Sequence, residues 1–300
     1  MKLLVVEDEA LLRHHLFTRL SENGHVVDAV RTMLHDQLAA VAARFSRNNA
    51  LWVSKNKLTT IHGCQAHHMA TKDNFAWTPL TARGTVLHKA VELGVHWRGD
   101  STPVEVVDEA IARLSDSSNS VADFLMSMTP GDAAQLRGYA VDLYTRFEEC
   151  FPKLKPSWRP VTESSARYEL FDGAIVLGTR SDLTLGTADQ KVIIDVKSGG
   201  LHTSHREDLR FYALVEALRS GMAPRRLATY SLAAARADVE DVSEGVLQAA
   251  VRRVVAGVRW TGVAGRALLF LGAFVHSVLI PAWLAGGVLL ARSTIMENMV

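Results

Sequence analysis

The chain has 300 residues, of which 48% are hydrophobic and 22% charged, so it is long enough for one large domain or two smaller ones. This composition excludes an intrinsically disordered chain, a collagen and a coiled coil. Basic and acidic residues number 33 and 32, and the formal net charge of +1 excludes recruitment to a polyanion by overall charge. Two cysteines are too few for a disulfide framework, which predicts a cytoplasmic protein.

Residues 1–30 predict a strand, a helix and a second strand. Leu3–Val6 forms the first apolar run, leucines then recur at helical spacing, and His25–Val30 is typical of the second strand. The run LLVVEDEALLRHHLFTRLSENGHVVDAV resembles the opening of a bacterial response-regulator receiver domain. The resemblance implies that the acidic pair Glu7 and Asp8 helps to hold Mg²⁺. The family's third strand and its phosphoacceptor aspartate do not follow, so we interpret this segment as a receiver-like βαβ fragment.

The other end of the chain, residues 259–300, is a hydrophobic tail. Within it, residues 267–291 contain no Asp, Glu, Lys or Arg. A membrane-spanning helix needs about 20 predominantly apolar residues, so this stretch predicts membrane association through a C-terminal helix. More arginines precede the stretch than follow it, which predicts that the bulk of the protein lies in the cytoplasm. A buried helical hairpin, broken at Pro281 or Gly286-Gly287, is the alternative.

Between the ends, helices precede a group of strands. Hydrophobic spacing predicts helices over 83–93, 104–116 and 132–149. Alternation and turn residues then predict an antiparallel meander, with strands at 168–170, 174–178, 182–185 and 191–197.

The last predicted strand carries a carboxylate and an ammonium group on one face. Asp195 and Lys197 are two residues apart, so the strand period places them side by side. Asp182 lies on the preceding strand, where a hairpin brings it opposite Asp195. Two close carboxylates repel each other unless a cation lies between them, and oxygen ligands suit Mg²⁺ or Mn²⁺. The lysine could orient an attacking water or stabilise the leaving charge. A surface Asp–Lys pair on an edge strand is the simpler alternative.

The arrangement as a whole has four elements in chain order: Gly84 and His88 in G-x-x-x-H on a helix, then Asp182, then Asp195-Val196-Lys197, then a further helix. It resembles the PD-(D/E)XK nuclease superfamily, in particular the RecB and AddB type of nuclease domain, over about residues 33–258. The resemblance implies metal binding by His88, Asp182 and Asp195, and catalysis by Lys197 with the two aspartates.

The resemblance also implies a fold, an α/β restriction-endonuclease-like core with a mixed central sheet flanked by helices. The chain then divides into the fragment 1–30, a nuclease domain at 31–258 with a helical N-terminal part, and the tail 259–300.

The helix after Lys197 carries the family's final motif in altered form. Where the family usually has Q-L-x-x-Y, this chain has Asp208-Leu209-Arg210-Phe211-Tyr212. Tyr212 matches the tyrosine of this motif, and together with Arg206 and Arg210 it is a predicted substrate-binding residue. A carboxylate at Asp208 could add a metal ligand or repel a DNA phosphate.

Two further groups are weaker candidates. A cluster of His62, Cys64, His67 and His68 could bind zinc, although its spacing matches no closed zinc site, and partly exposed histidines are the alternative. Glu169 is either an auxiliary acid or a solvent-facing strand residue.

These features favour a Mg²⁺- or Mn²⁺-dependent deoxyribonuclease. By resemblance to RecB it would be an exonuclease acting on DNA ends or single strands in repair and recombination, with a separate helicase as partner. Endonucleolytic cleavage is the other possibility. The alternative is a membrane-anchored or receiver-linked regulatory protein whose nuclease-like core is a non-catalytic binding module.

Overall fold

The computed structural model describes residues 9–71 and 75–274, with side chains over 24–70 and 75–261. These residues form helices and strands in the order expected of an α/β chain. The helices are α1 (Glu9–Ala42), α2 (Lys55–Gly63), α3 (Gln65–Thr71), α4 (Pro79–His96), α5 (Pro103–Ser115), α6 (Ser120–Ser127), α7 (Pro130–Cys150), α8 (Thr203–Ser220) and α9 (Glu244–Phe274). The strands are β1 (Leu51–Val53), β2 (Val161–Leu170), β3 (Ile175–Leu185), β4 (Val192–Lys197), β5 (Arg226–Ser231) and β6 (Arg236–Asp241).

The six strands form one mixed sheet, which confirms the predicted α/β fold class. Strands β2, β3 and β4 are antiparallel neighbours, as the meander prediction requires. Strand β1 pairs with β3 in parallel, β5 pairs with β4 in parallel, and β6 closes the edge antiparallel to β5. The division of β3 into two strands was wrong: apart from residue 174, the strands predicted at 174–178 and 182–185 fall within one strand, Ile175–Leu185, and β2 pairs with it along almost its whole length.

The pairing along β3 leaves an opening in the sheet. Strand β2 occupies one edge of β3, so β1 and β4 share the other edge. There β1 pairs with Ile175–Leu177 and β4 pairs with Leu183–Leu185. Among the described strands, none pairs with residues 178–182 on that edge. A wedge therefore opens between the end of β1 and the end of β4, and Asp182 lies in it.

Helices cover both faces of the sheet. On one face, α1, α8 and α9 pack with sheet residues such as Ile175, Ile193 and Leu227. On the other face, α4, α5 and α7 pack with Leu183, Ile194 and Tyr230. Neighbouring residues such as Ile193 and Ile194 bury their side chains on opposite faces, as the strand period requires. The sheet is thus held rigidly between two apolar layers, and its wedge is fixed in position.

The strand predicted at His25–Val30 was wrong, because these residues lie within helix α1. Val27 and Val30 are buried together with Leu34 and Leu38, in a stripe of helical spacing that joins the first apolar layer. A receiver-type strand needs neighbouring strands to satisfy its backbone, whereas a helix satisfies it internally and still buries the same valines. The proposed boundary between residues 30 and 31 falls inside this helix. Glu7 and Asp8 lie outside the described residues.

Residues 27–42 therefore contribute to the core of the nuclease-like domain. We expect Leu34→Ala to lower the free energy of unfolding by about 2–5 kcal/mol, because Leu34 is fully buried and its loss leaves a cavity. Chemical denaturation followed by circular dichroism measures this change. The exposed Asp36→Ala on the same helix is the control and should leave stability nearly unchanged. An equally small effect of Leu34→Ala would show that α1 is not part of the folding unit.

The hydrophobic tail extends beyond the described part of the chain. Among the described residues, no helix is both long enough and apolar enough to cross a membrane. Helix α9 is described as far as Phe274, and the rest of the predicted stretch 267–291 lies outside the described residues. Membrane association through this stretch stays a prediction.

Candidate active site

Two aspartates meet where β3 and β4 separate. The last ladder pair at this end is Leu183 with Ile194, and the same register places Asp182 opposite Asp195. Asp182 Oδ2 accepts a hydrogen bond of 2.7 Å from the backbone N–H of Val196. This bond replaces the next rung of the ladder and fixes the carboxylate inside the wedge. The structure thus brings together the two carboxylates that the hairpin argument paired.

His88 approaches the aspartates from helix α4. The helix begins at Pro79 behind the capping box of Thr78 and Thr81, and it is anchored by a buried apolar face. Its opposite side turns His88 toward the wedge, where Nδ1 lies 3.3 Å from Asp182 Oδ1. The structure places the predicted helix histidine beside the predicted strand aspartate.

Glu163 completes this group, although the sequence analysis did not identify it. The β2–β3 register on either side, Thr162 with Leu183 and Ser164 with Ser181, places Glu163 opposite Asp182. Its φ of 50° lies in the left-handed region, which is unusual and costly for a residue with a side chain. Ligand atoms of His88, Glu163 and Asp182 all lie within 4.8 Å of one another. Arg180 forms an ion pair with Glu163 from the neighbouring strand.

Asp195 is held by two lysines. Lys197 Nζ donates to its Oδ1 at 3.0 Å, and Lys55 Nζ donates to the same atom at 3.4 Å. Oδ2 lies 2.8 Å from Lys197 Nζ but has no hydrogen bond of acceptable geometry, and it is buried. The Asp195 side chain is only 2% exposed, whereas the two lysine side chains are 22–23% exposed. The carboxylate thus lies behind the ammonium groups that face the solvent.

These side chains lie at the base of an open cleft of about 1040 Å³. His88, Glu163, Asp182, Lys197 and Lys55 all line it. Its outer walls carry arginines from α5, β2 and β3 and one exposed aromatic residue: Arg113, Arg167, Arg180 and Trp52. The cleft is wide, polar and lined with basic side chains, which suits an extended anionic ligand.

Charge interactions shift the pKa values of the acidic group in opposite directions. Burial lowers the pKa of His88, but the Asp182 carboxylate raises it by more, so the net shift is upward. Burial raises the pKa of Asp182, but His88 and Lys197 lower it by more. Burial and the Asp182 charge raise the pKa of Glu163 despite its Arg180 partner. The physical cause is the crowding of two carboxylates around one imidazole with little solvent.

The residues predicted to bind substrate fall into two groups. Tyr212 lines the cleft, and its buried ring lies 5.3 Å from Lys55 Nζ. Burial raises the pKa of Tyr212 to about 12. Arg206 and Arg210 lie on the same helix but form ion pairs with Asp238 and Glu240 of β6, and the structure does not bring them into the cleft.

Asp208, the residue that departs from the family motif, has a local partner. Thr59 Oγ1 donates to Asp208 Oδ1 at 2.8 Å, which links helix α2 to helix α8. Arg253 of α9 also lies 3.5 Å from the same threonine oxygen. The carboxylate therefore joins three helices rather than the group around Asp182.

The weaker candidates are engaged elsewhere. His62 Nε2 lies 3.0 Å from the backbone oxygen of Arg253, and His68 Nδ1 lies 2.8 Å from Thr60 Oγ1. Within the described residues, the cluster with metal-ligand spacing is the group of His88, Glu163 and Asp182, not these histidines. Glu169 pairs with Arg47 and Arg167 away from the cleft base.

The donor set fits a divalent metal ion. Carboxylate oxygens with one imidazole suit Mg²⁺ or Mn²⁺ better than a soft metal. Adjacent ligands of an octahedral Mg²⁺ stand about 3 Å apart, given bonds of 2.0–2.1 Å, and the His88–Asp182 contact of 3.3 Å is close to that value. The buried Asp195 Oδ2, which lacks a hydrogen bond, is a further oxygen of the type that such ions bind.

The sheet opens at two paired aspartates, and a histidine of α4 and the ammonium group of Lys197 lie beside them. Carboxylate, imidazole and ammonium groups in this arrangement are of the kind that metal-dependent phosphodiesterases use. Residues 53–268 match the PD-(D/E)XK nuclease superfamily. The match covers well over half of the chain, and the chain belongs to this superfamily. Membership suggests a phosphodiesterase nuclease and implies a nucleic acid substrate.

Two further comparisons match smaller parts of this chain. Thirty residues are 90% identical to the two-component response regulator PhoP of Pseudomonas aeruginosa, over 10% of this chain and 13% of that protein. The crystal structure of SSO0001 is 14% identical and covers 60% of this chain and 86% of that one, with a TM-score of 0.27. That score is too low to carry an argument about fold or function.

The His88 shift predicts how metal binding depends on pH. A histidine binds metal only when neutral, and the pKa of His88 is raised above its usual 6.5. We therefore expect Mn²⁺ affinity to increase as pH rises through this raised pKa, and to fall up to about tenfold per pH unit below it. Mn²⁺ titrations from about pH 6 to 9 measure the effect. In His88→Asn the dependence in this range should disappear, and a flat wild-type profile would contradict the prediction.

Proposed function

We propose that the protein is a Mg²⁺- or Mn²⁺-dependent nuclease that hydrolyses DNA phosphodiester bonds. The observation that carries the proposal is the convergence of His88, Glu163 and Asp182 beside the buried Asp195–Lys197 pair, at the base of a basic cleft. DNA ends or single strands are the favoured substrate, and exonucleolytic cleavage in repair or recombination is the favoured activity, by resemblance to RecB.

In this proposal, His88, Asp182 and Asp195 hold the metal ion, and Glu163 joins them as a fourth candidate ligand. A bound Mg²⁺ supplies positive charge that offsets the charge developing on the phosphodiester and lowers the pKa of a nearby water. Asp182 holds its orientation through the Val196 N–H. The chain thus provides fixed carboxylates before substrate binds.

Lys197 acts on the attacking water or on the developing phosphate charge. Its ammonium group faces the cleft while Asp195 fixes it from behind. A fixed cation near the reacting phosphate stabilises charge that is larger in the transition state than in the ground state. Tyr212 and Lys55 shape the neighbouring wall. Arg113, Arg167 and Arg180 lie further along the cleft, where a phosphate would compete with the glutamates that now pair with them.

The direct test is DNA cleavage by the purified full chain. End-labelled linear DNA, single-stranded and double-stranded, is incubated with Mg²⁺, with Mn²⁺ or with EDTA. We expect cleavage with either metal and none with EDTA. A closed circular single strand in parallel separates the two modes of cleavage, because an exonuclease leaves it intact. No cleavage of any substrate by the folded chain with either metal would favour a non-catalytic binding module, or a requirement for a helicase partner.

A further inference from the structure

Lys55 is placed at the active site by long-range packing. It is the first residue of helix α2, directly after the N-cap Ser54. Before it, Leu51 and Val53 are buried in the pairing of β1 with β3, and after it, Leu58 is buried beneath the helix. These anchors hold the start of α2 over the wedge in the sheet. The position of the Lys55 ammonium group is therefore set by the fold rather than by a mobile loop.

The ammonium group shares its partner with Lys197. Both Nζ atoms contact Asp195 Oδ1, at 3.4 Å for Lys55 and 3.0 Å for Lys197. Two ammonium groups repel each other, and their approach is favourable only because the buried carboxylate lies between them. The Tyr212 ring, 5.3 Å from Lys55 Nζ, adds a further favourable contact with the cation. The single negative charge of Asp195 is therefore faced by two positive charges, one more than is needed to neutralise it.

The other two carboxylates form their ion pairs with other groups. Asp182 faces His88, and Glu163 pairs with Arg180. The proposed catalytic role of Lys197 explains why one lysine contacts Asp195. It does not explain why Lys55 contacts the same carboxylate. A divalent ion that approaches Asp195 is repelled by both ammonium groups, and the one that catalysis does not require can move aside.

We propose that Lys55 is a positioning residue that acts as an internal counter-ion of Asp195 and competes with the divalent ion for it. Lys55 thereby sets the metal concentration at which the site fills. Without metal it neutralises the buried carboxylate, and with metal its ammonium group moves away from Oδ1 within the cleft. This inference rests on the proposed function, because it takes Asp195 as a metal ligand.

The test is Mn²⁺ binding to the full chain without DNA, measured by calorimetry and by the electron paramagnetic resonance signal of free Mn²⁺. In Lys55→Met, which keeps the length of the side chain without its charge, we expect Mn²⁺ to bind about tenfold more tightly than in wild type. Lys55→Arg keeps the charge and should restore nearly wild-type affinity. Thermal unfolding without metal should occur at a lower temperature in Lys55→Met, and added Mn²⁺ should reverse the loss.

The matched control is Lys57→Met on the same helix. Lys57 Nζ donates to the backbone oxygen of Trp52 at 3.1 Å, so its removal takes away a cation without freeing Asp195. Unchanged or weaker Mn²⁺ binding in Lys55→Met would overturn the inference while leaving the metal site of the wild type intact. Equal tightening in Lys57→Met would also overturn it, since the effect would then be general charge. A wild-type chain that binds no Mn²⁺ would remove both the inference and the proposed function.

Discussion

Replacing Lys197 by methionine is expected to lower the rate of DNA cleavage by about 10²- to 10³-fold, the usual loss when a positioned catalytic group is removed. Lys197 Nζ is held by Asp195 and faces the cleft, so it can act on the reacting phosphate or on the attacking water. The substitution leaves the proposed metal ligands in place. We therefore expect Mn²⁺ binding to be retained or tightened, because one of the two ammonium groups beside Asp195 is removed. Cleavage, measured under single-turnover conditions with labelled linear DNA, should be nearly lost.

Lys89, another lysine that lines the cleft, supplies the matched control. Lys89 Nζ pairs with both oxygens of Glu92, at 2.9 and 3.0 Å, and both residues line the cleft away from Asp195. Lys89→Met should change cleavage only slightly, through weaker attraction of DNA. If cleavage persisted in Lys197→Met and disappeared only when Lys55 was also replaced, Lys55 would be the catalytic cation and the role given to Lys197 would be wrong.

Local hairpin geometry explains which site residues the sequence could predict. The pairing of Asp182 with Asp195 follows from a hairpin of short loop length, because the register of such a hairpin is fixed close to its turn. The same reasoning could have found Glu163. The turn after Leu170 pairs Leu170 with Ile175, and counting seven residues away from the turn on each strand places Glu163 opposite Asp182. The predicted strand began at residue 168, too late to include it.

Other parts of the site depend on contacts that leave no local pattern. Lys55 reaches Asp195 only because β1 pairs with β3 in parallel, across more than a hundred residues of chain. Parallel pairing has no turn that fixes its register. Arg206 and Arg210 share a helix with Tyr212, but the sequence did not reveal that β6 offers them Asp238 and Glu240. Periodicity alone located the helices α4, α5 and α7 and their apolar faces.

The amino-terminal segment shows how tertiary packing overrides a local resemblance. Residues 25–30 have the composition of a strand, yet in this chain they extend a helix whose stripe from Val27 to Leu38 fills the first apolar layer. The same valines suit either a strand or a helix, so their neighbours decide. The helix α9 supplies the partner surface here, and the next strand along the chain, β1, pairs with β3 of the central sheet.

Replacing Asp182 by asparagine is expected to weaken Mn²⁺ binding at least about tenfold and to lower DNA cleavage by about 10²-fold or more, because one negative charge leaves the metal site. Asparagine has nearly the same shape, and its amide oxygen can still accept from the Val196 N–H. The free energy of unfolding should therefore change little, whereas Mn²⁺ affinity and the cleavage rate should fall. Calorimetry with Mn²⁺, single-turnover cleavage and chemical denaturation measure the three quantities.

The same variant gives a readout that does not depend on metal. The Asp182 carboxylate is what keeps the pKa of His88 raised against the lowering effect of burial, so in Asp182→Asn that pKa should fall. Because the folded-state pKa of His88 is raised, the pair stabilises the fold below the usual histidine pKa of 6.5, and this contribution is lost as pH rises through the raised value. NMR titration of the histidine ring protons follows the shift, and Glu169→Gln, outside the cleft base, should not produce it. An unchanged His88 titration together with unchanged Mn²⁺ affinity in Asp182→Asn would show that Asp182 is not part of the metal site.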